Sequence, residues 1–427
     1  MMPRVSGALS VAATVAFISG LVLAQAGPKQ VVKPPIAKAW IDVATFSGMA
    51  MGMGGADMMN QTLAAAMGGG GGSKAEFGNT EHGPGGRWMD VTLYTSLNTK
   101  LTEALQSVPA GTGLAPTLKL QTPDKPKPAP KSDDEPAEWN YQKPKGKLVM
   151  YWGCSKTVRP GQPKVVDLST ATVGEMAKFF ESRRATQRGA HAAAGRPIWP
   201  SKQDKRALGE RASIVGEHAF IAKGVPEGFK FKIPAAQDIM APLKVQQTDT
   251  GGSVAFEWPA VPHARAYFLG TMAALPGGKQ GMVIWTSSEL PDSGFGLFDY
   301  QTNVAVDKWL KDKVLLPPSA TKCAVPKEAA GEGGMLRAIA YGTELDLVYP
   351  PRPEDPKVAW EPEWSVKIRV KSMSTTIVGM EGMDDMDAMP SLDEEPPDSE
   401  DAPPESDPGT SKRNRFNPFD PAKQRRP

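Results

Sequence analysis

Four methionines, Met380, Met383, Met386 and Met389, recur at a constant spacing of three. Thioether sulfurs are soft ligands, and a row of them suits copper(I) or silver(I). Met49, Met51, Met53, Met58 and Met59 form a second cluster. No histidine accompanies either, and a low-complexity linker of drifting composition would carry the same residues. The second chemical signal is charge. Arg183, Arg184, Arg188, Arg196, Lys202, Lys205, Arg206 and Arg211 crowd one stretch. Of these, Arg183, Arg184, Arg188, Arg206 and Arg211 are the candidate anion-binding residues, since guanidinium groups match phosphate and carboxylate oxygens. The same stretch also reads as a solvated loop. Trp139 and Trp199 lie near these loops and offer rings to stack on sugars, although a Trp beside Pro is as readily local packing.

Catalysis finds no support. Asp133, Asp134 and Glu135 are adjacent carboxylates in an expected loop, with no apolar pocket to raise a pKa. The four histidines, His82, His191, His218 and His263, form no motif with either cysteine, and no Gly-rich phosphate loop follows a strand. No cofactor site is read. Cys154 and Cys323, 169 residues apart, either form one disulfide that ties the halves of the chain together or sit as two buried, unpaired small hydrophobes.

The address comes from residues 1–26. Met1 to Arg4 make a short basic start, Gly7 to Leu23 an apolar run, and Ala24-Gln25-Ala26 a small-residue cleavage site. The run is short for a spanning helix and is followed at once by Gly27-Pro28-Lys29, so a cleaved signal peptide is expected, with no transmembrane segment left afterwards. A soluble periplasmic or secreted protein follows, and nucleic acid is disfavoured as a partner by that address. An envelope polysaccharide or another envelope protein is the expected class of partner.

Gly and Pro, 43 and 41 of 427 residues, promise long irregular segments. Residues 49–86 read as a Gly/Met-rich loop and residues 123–144 as a Pro-rich excursion. From residue 380 to the end the chain reads as a disordered tail. Its residues 381–407 hold 12 acids and no base, and residues 412–426 hold six bases against Asp420. The net charge of +2 therefore hides a basic body.

The elements that must position these residues are mostly strands. Phe229-Lys-Phe-Lys-Ile233 and Trp364-Ser-Val-Lys-Ile-Arg-Val370 alternate apolar and polar side chains, which predicts one face on a core and one in water. Similar runs begin at Ala39, Trp88, Leu148, Val165, Ser213, Val254, Tyr267, Met282 and Met335. No strand–helix–strand unit recurs, so antiparallel sheets are expected. Thr172 and Glu175 have capping-box spacing ahead of Val173, Met176, Ala177 and Phe180, which predicts a helix from 173 to about 186. Asn303 is the expected cap of a second short helix. The fold class is mainly β: two antiparallel sandwich domains, 27–242 and 243–373, with few short helices.

Val254-Ala-Phe-Glu-Trp258-Pro-Ala-Val-Pro262 followed by Ala266-Tyr267 resembles the opening of a fibronectin type III domain. Cys323-Ala-Val-Pro, Leu336 to Tyr341 and Trp364 to Val370 are similar to later strands of that family. The resemblance covers residues 243–373 only, and implies an immunoglobulin-like sandwich that binds or spaces rather than catalyses. Residues 286–320 depart from the pattern. The methionine row resembles stretches of exported copper-handling proteins. The chain thus reads as an exported binding or scaffold module, with a methionine-based metal buffer or a glycan-binding or glycan-acting envelope protein as alternatives.

Overall fold

The structure is a computed structural model that describes residues 30–48, 77–82, 85–123, 145–204, 206–331 and 333–379. The leader, both methionine clusters, Asp133 to Glu135, Trp139, Lys205 and the tail lie outside the described residues. The fold is mainly β. Its first half contributes strands β1 (Ala37–Gly48), β2 (Gly86–Thr95), β3 (Glu103–Ser107), β4 (Thr117–Gln121), β5 (Lys147–Trp152), β6 (Lys164–Asp167), β7 (Ile198–Trp199), β8 (Gly216–Ile221) and β9 (Lys230–Ile233). The second half contributes β10 (Gln246–Asp249), β11 (Ser253–Glu257), β12 (Ala266–Ala274), β13 (Gly281–Thr286), β14 (Lys322–Pro326), β15 (Met335–Tyr341), β16 (Leu345–Tyr349) and β17 (Trp364–Ile377). Among the described residues four short helices punctuate them: α1 (Asn79–His82), α2 (Val173–Phe179), α3 (Asn303–Lys311) and α4 (Lys327–Ala330).

Strands β10, β11 and β14 form a small antiparallel sheet. It packs on β13 and β12 through Phe256 against Trp285, 6.2 Å between rings, and Trp258 against Tyr267, 5.5 Å. A large aromatic pair in the gap is what two stacked sheets need. Strand β12 reads as a near-continuous apolar run because both of its faces are covered. Tyr267 and Leu269 point into the main core, while Ala266 and Phe268 pack with Val306, Trp309 and Leu315 from α3 and its C-terminal turn.

Position 242 does not separate two sheets. Strand β1 pairs in parallel with β17, from Ala37 opposite Trp364 to Gly48 opposite Thr375, and β5 pairs in parallel with β13. The large sheet therefore runs β6-β5-β13-β12-β15-β17-β1-β2-β7-β4-β3-β8-β9, and it is mixed rather than wholly antiparallel. Alternation assigns faces to strands but not neighbours to them. The backbone groups along the outer edges of β13 and β17 need partners, and strands from the first half supply them. One apolar core joins Val91, Leu118 and Phe220 of the first half with Phe256, Leu336 and Val366 of the second.

Cys154 and Cys323 are bonded, S–S 2.10 Å, which ties the end of β5 to β14 of the small sheet. Helix α2 has the expected capping box but stops at Phe179. The carboxylate of Asp292 then accepts from the Ser182 hydroxyl and the Arg183 backbone N–H, holding the chain in a non-helical path. Thr302, not Asn303, caps α3; the Asn303 amide is spent on Glu344 and Arg265.

Candidate functional site

The alternation in β1 and β17 sends Ala39, Ile41, Val43, Val366, Ile368 and Val370 into the core. Their neighbours Lys38, Trp40, Asp42, Ser365, Lys367, Arg369 and Lys371 therefore share the opposite face. Water was the expectation for that face. The structure instead covers part of it with residues 183–196, which cross the strands, and with Tyr300.

Under that cover lies a charged network. The Arg369 guanidinium donates to both Asp42 oxygens at 2.6 Å and to the Gln187 carbonyl at 2.8 Å. Asp42 also accepts from the Ala190 N–H at 2.8 Å. A Cβ added at Gly189 would stand 1.7 Å from Arg369 Nη2, so glycine allows the backbone to pass this closely. The Tyr300 ring has the Arg369 guanidinium 4.2 Å and the Lys371 ammonium 4.3 Å from its centroid, and its hydroxyl donates to the Val43 carbonyl at 2.8 Å. Burial alone would lower the Arg369 pKa, but the Asp42 carboxylate and Tyr300 more than reverse this. Burial pulls Lys371 down to about 8, with Arg369 and Arg337 adding to the effect and Asp299, 3.8 Å away, opposing it. On β2, burial lifts Asp90 to about 6 and Asp42 adds to that. Its hydrogen bonds from the Gly78 and Thr80 N–H groups and the Thr80 hydroxyl work the other way. Lys371 is 1% exposed, so no substrate reaches its amine.

Further along the same strands the cover ends, and an open groove of about 730 Å³ begins. Its floor is Lys38 and Trp40 of β1, Ser365 and Lys367 of β17, and Asp346 and Val348 of β16. One wall is Val32 to Pro35 with Trp360 and Pro362, joined by a bridge between Val32 and Trp360; the other is Gln187 and Arg188. Both indoles are braced. The Arg196 guanidinium stacks on Trp40 and on Tyr94, 5.0 Å from each ring, and Arg352 lies 5.5 Å from the Trp360 ring. His191 accepts from Arg196 through Nε2 at 2.7 Å while Nδ1 bonds the Gly189 carbonyl. That arrangement requires a neutral ring. Burial lowers the pKa of His191, and the cations of Arg196 and Arg188 lower it further.

The lining cations divide into two kinds. Lys33 pairs with Glu361 at 2.8 Å, and Lys367 is held by Glu344 at 3.1 Å, Asp346 at 3.0 Å and Gln187 at 2.7 Å. Lys38 and Arg188 have no ion-pair partner among the described residues. The groove can therefore stack flat rings, exchange hydrogen bonds through Ser365, Gln187 and Asp346, and neutralise negative charge. No known protein family, no curated protein and no solved structure matches this chain.

The five arginines singled out for anion binding scatter. Arg183 is paired with Asp292 at 2.8 Å, Arg184 lies 3.6 Å from Asp299, and Arg206 makes a two-pronged contact with Asp204 at 2.8 and 2.9 Å. Arg211 is exposed and lies outside the groove lining. Only Arg188 of the five reaches the groove. Trp199 is fully buried in the main core, so it offers no ring to a ligand. The methionines Met380, Met383, Met386 and Met389 lie outside the described residues, and no group of three or more potential His, Cys, Asp or Glu ligands converges among the described ones. Sequence reasoning missed Lys38, Trp40 and Trp360. The available signal was the alternation of β1, which sets Lys38 and Trp40 on one side of a strand whose other side is apolar.

Proposed function

We propose that this is an exported, non-catalytic recognition module whose ligand seat is the groove between Trp40, Trp360 and Arg188. One observation carries the reading: two braced indoles, and two cations without an ion-pair partner among the described residues, line one open cleft on the sheet face. Preorganised rings cost little conformational entropy on binding. The order β10-β11-β14 against β13-β12-β15-β17 favours reading residues 243–373 as a fibronectin type III-like sandwich, with β1 and β5 added to its edges. The segments that build the groove belong to both halves of the chain, which gives the added strands a functional reason. The export signal in residues 1–26 would place such a module in the bacterial periplasm or outside the cell. Among the described residues, no helix is long and apolar enough to cross a membrane.

Titration of the intact protein with soluble polysaccharides, peptides and oligonucleotides, read by tryptophan fluorescence, tests the assignment. The expected result is a saturable change that Trp40→Ala and Trp360→Ala each weaken at least about tenfold with the circular dichroism unaltered. Full binding by the double variant would remove the groove from the reading.

A further inference from the structure

Resting on the groove assignment, we infer that the ligand is an acidic saccharide chain, with sugar rings on Trp40 and Trp360 and a carboxylate or other single anionic substituent between Lys38 and Arg188. Three features select this class. First, the site is a cleft open along the sheet face rather than an enclosed cavity, and it suits a polymer passing through more than a small molecule taken whole. Its two large apolar surfaces are flat indoles. Pyranose rings present flat C–H faces to such platforms, and the guanidinium groups of Arg196 and Arg352 already hold the indoles in place.

Second, the charge demand is small and local. Of the four cations in the lining, Lys33 and Lys367 are satisfied by carboxylates, which leaves Lys38 and Arg188. Lys38 stands on the floor strand β1 and Arg188 on the wall formed by the crossing segment. An anionic group seated between them would meet one point charge and one forked donor.

Third, the same cleft carries a carboxylate in water. The side chain of Asp346 on the floor is 57% exposed. It accepts hydrogen bonds from sugar hydroxyls, as does the Ser365 hydroxyl on the same floor. It repels a polymer with a phosphate at every unit. Single-stranded nucleic acid also stacks on aromatic rings, but it needs a groove whose cations track its backbone, and here two of the four lining cations are already held by carboxylates.

The test compares three probes on the intact protein by calorimetry: a uronic acid oligosaccharide, the same oligosaccharide with its carboxyls methyl-esterified, and a single-stranded oligonucleotide of similar length. The expected order is acidic saccharide first, the ester about tenfold weaker and the oligonucleotide weaker still. Arg188→Ala and Lys38→Met should each bring the affinities for the acidic and esterified forms to within about threefold of one another; Trp40→Ala should weaken both. Equal binding of acid and ester by the unaltered protein would overturn the acidic class while leaving the groove reading intact. Preference for the oligonucleotide would overturn the saccharide. Binding of the acidic probe that survives Trp40→Ala together with Trp360→Ala and Arg188→Ala would overturn both readings at once. Circular dichroism of each variant separates lost binding from lost folding.

Discussion

The polar face shared by β1 and β17 has two ends of the same design and opposite fates. At one end Asp42, Arg369 and Lys371 are sealed beneath residues 183–196 and Tyr300; at the other Lys38 and Trp40 stay partly open to water. Strand register is continuous between them, so backbone geometry does not distinguish the two. The cover does. Where a second segment crosses the strands, charges lose water and must be matched pairwise, as Arg369 is by Asp42. Where it lifts away, cations can remain unmatched at little cost, as Lys38 and Arg188 do, and become available to a ligand.

The largest expected effect comes from breaking the sealed end. Asp42→Ala would leave the Arg369 guanidinium buried without its partner and should cost about 3 to 5 kcal/mol in urea unfolding. A loss under about 1 kcal/mol would show that water reaches Arg369 and that the two ends do not differ as described. Lys371 sharpens the comparison through pH. Its folded-state value, about 8, lies below its ordinary 10.5, so the folded state disfavours the charged amine. Below pH 8 both folded and unfolded chains carry the charge, and the full penalty applies. As pH rises from 8 toward 10.5 the folded chain loses its proton first, and the penalty is relieved. Stability should therefore increase over that window, by up to about 3 kcal/mol, and Lys371→Met should abolish the increase. A flat stability profile between pH 8 and 10 in the unaltered protein would place the amine in water.

Gly189→Ala probes the cover itself. The new methyl group would press on Arg369 where Asp42 and the Gln187 carbonyl already pin it, so the chain or the guanidinium must shift, at about 1 to 3 kcal/mol. Unchanged stability would show that the crossing segment is loosely held. The smallest effect on folding belongs to the open end. Lys38→Met should change stability by less than about 0.5 kcal/mol, because a half-exposed lysine with no ion-pair partner among the described residues contributes little to the folded state. A larger loss would mean that Lys38 is structural, and the open end would then resemble the sealed one.

Much of the strand content was legible locally. The alternation of Trp364 to Val370 and of Phe229 to Ile233 marks faces, and Thr172 with Glu175 marks a helix start that the structure retains. Strands β7, β10 and β16 carried weaker patterns, being short or half-exposed on both sides; β3 buries Gln106 and exposes Leu105 against its residue types, and β4 alternates as cleanly as β9 but is one short run between Pro-rich segments. The end of α2 was misread because the competitor for its last turn, Asp292, lies 109 residues from Arg183. Of the candidate site, Arg188 was visible as one member of a basic stretch, but nothing local separated it from Arg183 or Arg206, whose acids capture them.

By itself the sequence determined the mainly β character, the polar and apolar sides of β1 and β17, the capped start of α2 and the uneven distribution of charge, because these depend on residue periodicity and nearest neighbours along the chain. Only the tertiary structure decided that β1 lies parallel to β17, that Asp42 meets Arg369 across 327 residues, that Cys154 meets Cys323, and that Trp40, Trp360 and Arg188 line one cleft. The reason is physical: edge pairing, burial of charge and convergence of side chains are set by which segment covers which, and that choice is made by the whole chain as it closes a common core.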